Sequence, residues 1–92
     1  MRLDLFLRTS RLIIRRSLAQ KFCDADLISV NDLPAKSSRD LKTGDLIEIR
    51  RRNRLTKVRV LEIPDKKQLS KNDAPHLYET ISDEVLEDDL FE

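Results

Sequence analysis

The stretch Ser10-Arg11-Leu12-Ile13-Ile14-Arg15-Arg16-Ser17-Leu18-Ala19-Gln20-Lys21-Phe22 sets apolar side chains among four cations, Arg11, Arg15, Arg16 and Lys21. Leu18 and Phe22 are one helical turn apart, so a helix puts both on one face. Upstream, Leu3, Phe6 and Leu7 recur at the same spacing, and residues 2–24 contain neither Gly nor Pro. Periodicity alone fits one long helix or two short ones. Thr9-Ser10 marks a candidate break, because either hydroxyl can accept a bond from an unpaired amide at the start of a following helix. If the helix runs through, Arg8, Arg11 and Arg15 share a face at i, i+3 and i+7. Leu12, Leu18 and Phe22 are the expected apolar frame, with Ile13 and Ile14 unassigned.

Downstream the period changes. Leu27-Ile28-Ser29-Val30-Asn31 alternates in steps of two, placing Ile28 and Val30 on one face of a strand. Asn31-Asp32-Leu33-Pro34 is turn chemistry, since Asn and Asp tolerate left-handed backbone and Pro34 cannot donate to a ladder. Lys42-Thr43-Gly44-Asp45 is a second turn, around the only glycine. Leu46-Ile47-Glu48-Ile49-Arg50 reads as a strand. Arg51-Arg52-Asn53-Arg54 reads as a hairpin loop, with Asn53 expected at positive φ. Residues 56–63 return, Val58 and Val60 inward, Lys57 and Arg59 outward. Pro64 ends that strand. Residues 65–73 read as a polar linker, Asp73 as the cap of a short helix over 75–79, and the acidic last ten residues as mostly mobile. The order of elements predicts an α+β module, helices beside a small antiparallel sheet. The expected division is residues 1–63 as the binding domain and 64–92 as linker, short helix and acidic tail.

A chain of 92 residues allows one domain and a small core. No apolar run approaches the roughly 20 residues that cross a bilayer. The lone Cys23 has no internal partner and is expected to act as a small buried hydrophobe. Together with the lack of a basic-then-apolar leader pattern at Met1-Arg2-Leu3-Asp4, this predicts a cytoplasmic protein. The net charge of +1 hides an asymmetry. Residues 1–60 carry 15 Lys or Arg against 7 Asp or Glu, whereas residues 61–92 carry 3 against 10. A basic body of this kind suits a polyanionic partner.

Guanidinium groups match phosphate because their planar fork donates two parallel hydrogen bonds. A helix start adds exposed amide donors. Arg2, Arg8, Arg11, Arg15 and Arg16 are therefore candidate phosphate contacts, although the same run also suits a solvated helix face. Asn31, Lys36 and Arg39 form a second polar group around the first turn, and ordinary loop polarity describes it equally. Arg50, Arg51, Arg52 and Arg54 form a third, at a hairpin tip that either probes a groove or stays wet. Phe6, Phe22, Phe91 and Tyr78 are the only aromatics. Phosphate contact and shape are thus expected to outweigh base stacking. His76 is the only histidine and Gly44 the only glycine, which leaves no metal-ligand spacing, nucleophile–base pair or glycine-rich phosphate loop. No enzyme activity, cofactor or metal is expected.

Taken together, Arg2-Leu3-Asp4-x-Phe6-Leu7, Arg11, Arg15-Arg16-x-Leu18-Ala19, Ile28-x-Val30-Asn31, Lys36, Ser37-Ser38 and Gly44-Asp45-x-Ile47 resemble the S-four (αL) RNA-binding domain, over roughly residues 2–60. The resemblance implies two or three short N-terminal helices on a small antiparallel sheet. The short chain, its Met1-Arg2-Leu3-Asp4 start and His76-Leu77-Tyr78-Glu79 narrow it to the RqcP family of bacterial ribosome-associated quality-control factors, relatives of the heat-shock protein fifteen family. That likeness implies a monomer that binds large-subunit ribosomal RNA and tRNA on the large ribosomal subunit. It would hold P-site tRNA while an RqcH-type tailing factor directs C-terminal alanine tailing of stalled chains. The heat-shock alternative recycles stalled large subunits without tailing, and its basic C-terminal extension contrasts with the acidic end here. The resemblance matches Arg2 and Arg16 to the family's RNA-facing positions, with Arg11 and Arg15 as basic neighbours. Asp4 is expected to orient an arginine or to cap the first helix. Asp26 and Asp32 stand where the family usually has Gly, which puts the role of the 31–36 loop in doubt.

Overall fold

A computed structural model describes residues 1–64 and 74–86. The expected linker at 65–73, the Asp73 cap and the acidic residues 87–92 lie outside the described residues. Two short helices lead the chain, α1 over Leu3–Thr9 and α2 over Arg16–Asp24. Five strands follow: β1 (Ile28–Val30), β2 (Leu33–Pro34), β3 (Leu46–Arg51), β4 (Arg54–Val60) and β5 (Tyr78–Val85). They form one antiparallel sheet in the order β2-β1-β3-β4-β5. The α+β prediction therefore holds, with two α-helices among the described residues.

The helical stretch is broken, and not by a cap. Ser10 closes α1: its amide donates to Phe6 O at 2.8 Å and its hydroxyl to Leu7 O at 3.3 Å. Arg11 then takes the left-handed conformation, φ 63°, that usually ends a helix at glycine, and its amide reaches back to Arg8 O at 3.0 Å. Arg15 is the N-cap of α2 in extended conformation, with no side-chain cap bond. Neither Thr9 nor Ser10 caps the second helix. Because the axis changes between them, Arg8, Arg11 and Arg15 do not share one helical face.

Leu3, Phe6 and Leu7 of α1 pack with Ile13, Ala19 and Cys23 against Ile28, Val30, Ile47, Ile49, Val58 and Val60 of the sheet, forming one core. The expected frame of α2 shifts by one residue. Ala19 and Cys23 are its buried positions, Phe22 is half-buried, and Leu18 is 42% exposed. Ile13 is core, whereas Ile14 is 77% exposed. Small Ala19 and Cys23 let α2 sit close to the sheet, and the larger side chains flank it. Phe6 is fully buried, so Phe6→Ala would cost about 3–5 kcal/mol, a large share of a small domain's stability.

Asn31 and Asp32 sit at φ 52° and 72° and join β1 to β2 as a two-residue hairpin. Pro34 lies on β2, a two-residue edge strand, where a missing amide is tolerated. Asp26 is also left-handed, at φ 59°, so acids occupy two positions that favour glycine. Gly44 turns at φ 95°. The β3–β4 hairpin closes through Arg52 and Asn53, with Arg51 opposite Arg54. Asn53 is not at positive φ, against expectation.

The larger correction concerns the C-terminal part. The short helix expected over 75–79 is a single 3-10 turn over Ala74–Leu77, and residues 78–85 form a strand, β5. This strand takes in residues 78–79 of that helix and 83–85 of the end expected to be mobile. The ladder with β4 runs from Val60↔Tyr78 to Arg54↔Val85, with a bulge at Lys57/Val58. Cross-strand charge pairs accompany it: Arg54 with Asp83 at 2.8 Å and Arg59 with Glu79 at 3.6 Å.

Candidate nucleic-acid interface

Asp4 lies in the first turn of α1 with its side chain fully buried. A buried carboxylate needs partners, and this one has four. Arg2 donates Nε–H to Oδ1 at 3.2 Å and an Nη2 hydrogen to Oδ2 at 3.3 Å. Arg16 donates Nε–H to Oδ2 at 3.2 Å and Gln20 its amide to the same oxygen at 2.9 Å. The Leu5 amide donates to Oδ1 at 2.8 Å. Asp4 therefore takes the first expected role, orienting arginines. It does not cap α1, whose N-cap is Arg2 without a side-chain cap bond, although it accepts from the Leu5 amide within the first turn. Burial pushes its carboxyl up, but the hydrogen bonds from Gln20, Arg16 and Arg2 outweigh burial and hold it below the usual carboxylate range. It stays ionised and neutralises part of the charge that would drive Arg2 and Arg16 apart.

The two arginines are held at the inner edge of their guanidinium groups and remain open outside, with side chains 48% and 41% exposed. Arg16 opens α2, whose start carries no side-chain cap bond. The result is a pair of oriented cationic forks beside a helix N-terminus, a geometry suited to phosphate.

Backbone hydrogen bonds bring a loop to the same corner. Leu3 N donates to Arg39 O at 2.8 Å, Asp4 N to Ser37 O at 3.1 Å, and Leu41 N to Met1 O at 2.9 Å. The N-terminal ammonium donates to Asp40 at 2.9 Å. Lys36, exposed on this loop, is thereby tied to the start of α1, as is Arg39. Asn31 is engaged elsewhere. Its side chain accepts from Leu46 N at 3.0 Å and donates to Asp45 Oδ1 at 3.2 Å, locking the two turns together.

The remaining candidates separate from this corner. Arg8 is half-buried in the last turn of α1. Arg15 lines a groove of about 390 Å³ with Leu12, Ile14, Leu18 and Phe22, and Arg51 forms part of its wall. Arg11 lines a different cleft, with Arg51 and Arg54. Gln20 was not anticipated, although it lies four residues after Arg16 on α2, the spacing that puts both on one face. Arg51, expected on a hairpin tip that either probes a groove or stays wet, donates to Leu12 O at 2.9 Å and ties β3 to the interhelical connector. Cys23 is buried, and its thiol is pushed up to about 11, first by burial and then by the charges of Asp4 and Asp24. His76 is exposed. Among the described residues no group of three His, Cys, Asp or Glu is placed to hold a metal, and no helix is long and apolar enough to cross a membrane.

Comparisons with known proteins place the chain in a family. The family model described as S4 domain matches residues 1–47, which contain the whole Asp4 cluster and the 36–41 loop. A curated relative from Streptococcus pneumoniae, the RQC P-site tRNA stabilizing factor, is 46% identical over 98% of this chain and 100% of its own length. The protein of that name from Bacillus subtilis is 42% identical over 94% of this chain and 98% of its own. Among solved structures, the trimeric Heat Shock Protein 15 of Vibrio cholerae superposes with a TM-score of 0.79 at 25% identity, covering 89% of this chain and 82% of that one. The solution structure of the hypothetical protein HP1423 superposes with a TM-score of 0.78 at 30% identity, covering 91% of this chain and 100% of that one. With its oriented Arg2–Asp4–Arg16 corner on this fold, the chain belongs to the S4 domain family and, within it, to the family of RQC P-site tRNA stabilizing factors.

Proposed function

We propose that this protein is a non-enzymatic, cytoplasmic RNA-binding factor of ribosome-associated quality control. It binds the large ribosomal subunit and stabilises P-site tRNA while an RqcH-type factor directs alanine tailing of the stalled chain. The observation that carries the reading is the buried Asp4, which holds Arg2 and Arg16 outward as a pair of phosphate-sized forks. Lys36 adds a third cation to that corner through the loop docked on α1, and Arg8, Arg11 and Arg15 add flanking positive charge. The contacts are to phosphate, so they fix position and hold tRNA against ribosomal RNA without reading bases.

Cells lacking the protein lose alanine tails on stalled chains; unchanged tailing overturns the role. Arg2→Ala and Arg16→Ala each reduce co-sedimentation with large subunits. Unaltered sedimentation of both removes the proposed RNA face. With about five phosphates contacted, log affinity falls against log salt with a slope of about −4.

A further inference from the structure

At the far end of the sheet from the Asn31 and Gly44 turns, the chain builds a second cationic feature. Arg51 and Arg54 are directly opposite each other where β3 meets β4. Like charges so placed destabilise a hairpin unless something offsets them. By strand alternation both lie on the face of Ile49 and Thr56, the face covered by the helices. There the core has ended and the connector roofs them. Arg11, Leu12, Arg51, Arg54, Thr56 and Asp83 are among the residues that line a cleft of about 310 Å³. Within it Asp83 holds Arg54 as Asp4 holds Arg2. Nε–H donates to Oδ1 at 2.8 Å and an Nη2 hydrogen to Oδ2 at 3.0 Å, leaving the Nη1 side of the fork outward. Thr56 Oγ1 donates to the same acid at 3.0 Å. Among the described residues that line the cleft are three arginines, Arg11, Arg51 and Arg54, and one acid, Asp83.

We propose that this cleft is a second phosphate site, which takes the backbone of an RNA segment other than the one at the Arg2–Arg16 corner. The proposal rests on the RNA-binding reading above and extends it to a residue set that shares no member with that corner. Arg51 is fixed on Leu12 O and Arg54 on Asp83, so both forks are oriented before RNA arrives and little side-chain entropy is lost on binding. The hydrogen bonds from Arg54 and then Thr56 hold the Asp83 carboxyl below the usual range, against a smaller opposing effect of desolvation. The acid thus remains the fixed counter-charge.

The test is a salt titration of the full-length protein on large ribosomal subunits carrying P-site tRNA. Replacing both residues, Arg51→Gln with Arg54→Gln, weakens association about tenfold and reduces the log–log slope by about 1.5, the share of two phosphate contacts. Arg59→Gln, a cation on the opposite sheet face, leaves the slope unchanged. An unchanged slope in the double variant, with Arg2→Ala and Arg16→Ala still weakening association, overturns the cleft and leaves the corner standing. If neither pair of changes matters, the RNA-binding reading fails and the cleft with it. A second measurement avoids any folding defect of the double variant. Titrating the unaltered protein with a short RNA duplex shifts the amide NMR signals of Arg51, Arg54 and Thr56, because phosphate contact needs no particular sequence. Stationary signals there overturn the proposal.

Discussion

The Asp4 carboxylate accepts the Nε–H of Arg16 at 3.2 Å across twelve residues of chain, joining the first turn of one helix to the first turn of the next. The same carboxylate holds Arg2 and Gln20, so a single buried acid sets both the interhelical geometry and the orientation of the exposed cations. Replacing it isosterically separates charge from shape. Asp4→Asn should lower stability by about 1–3 kcal/mol, the cost of charged hydrogen bonds lost at a buried group, seen as a lower urea midpoint. It should also weaken large-subunit association in step with Arg16→Ala. Full association by a destabilised Asp4→Asn protein would show that Arg2 and Arg16 need no orientation.

Stability should fall on the acid side. Asp4, Asp40 and Asp83 are all held below the usual carboxylate range: Asp4 because its hydrogen bonds outweigh burial, Asp40 by the N-terminal ammonium, Asp83 by Arg54. A carboxylate depressed by folding contributes stability that is complete above its unfolded pKa, about 4. That contribution is lost as pH falls through the lower folded value. Urea midpoints should therefore be level between about pH 5 and 7 and decline below about pH 4. In Asp4→Asn the decline should be shallower. A midpoint that rises on acidification would contradict these assignments.

The β1–β2 turn carries removable strain. Asp32 sits at φ 72° directly after Asn31 at φ 52°, a pair for which Asn-Gly is the low-energy choice. Asp32→Gly should stabilise the fold by about 0.5–1 kcal/mol, read as a higher melting temperature. Asn31→Ala should do the reverse by about 1–2 kcal/mol, since it keeps the left-handed backbone and loses the bonds to Leu46 N and Asp45.

Cys23 should behave as an inert core residue. The residue is 4% exposed and its thiol pKa is raised to about 11, so at pH 8 only about a thousandth is thiolate. Alkylation by iodoacetamide should be slow in buffer and fast in urea. Fast alkylation of the folded protein would place Cys23 at the surface.

Local signals were strong where structure is local. The alternation of Ile28 with Val30 and of Ile47 with Ile49, and the turns at Asn31-Asp32 and Gly44, follow from side-chain period and backbone tolerance within a few residues. The break between α1 and α2 falls at the candidate Thr9-Ser10 position, but its mechanism had no such signal, because the left-handed position is taken by Arg11 and not by glycine. Strand β5 was hidden for a related reason. Six of its eight residues are exposed, so it has no apolar face to read. It exists through its ladder with β4 and the pairs Arg54–Asp83 and Arg59–Glu79.

By itself, the sequence determined a small α+β module with a cationic N-terminal half and an apolar set large enough for one core. It also carried the motifs of an RNA-binding family. Only the tertiary structure decided which cations are brought together. Arg2 and Arg16 meet at Asp4, while Arg11 faces Arg51 and Arg54 beside Asp83. The reason is electrostatic and geometric. A carboxylate stays charged out of water only where donors from several segments converge on it, and that convergence is a property of the packed chain.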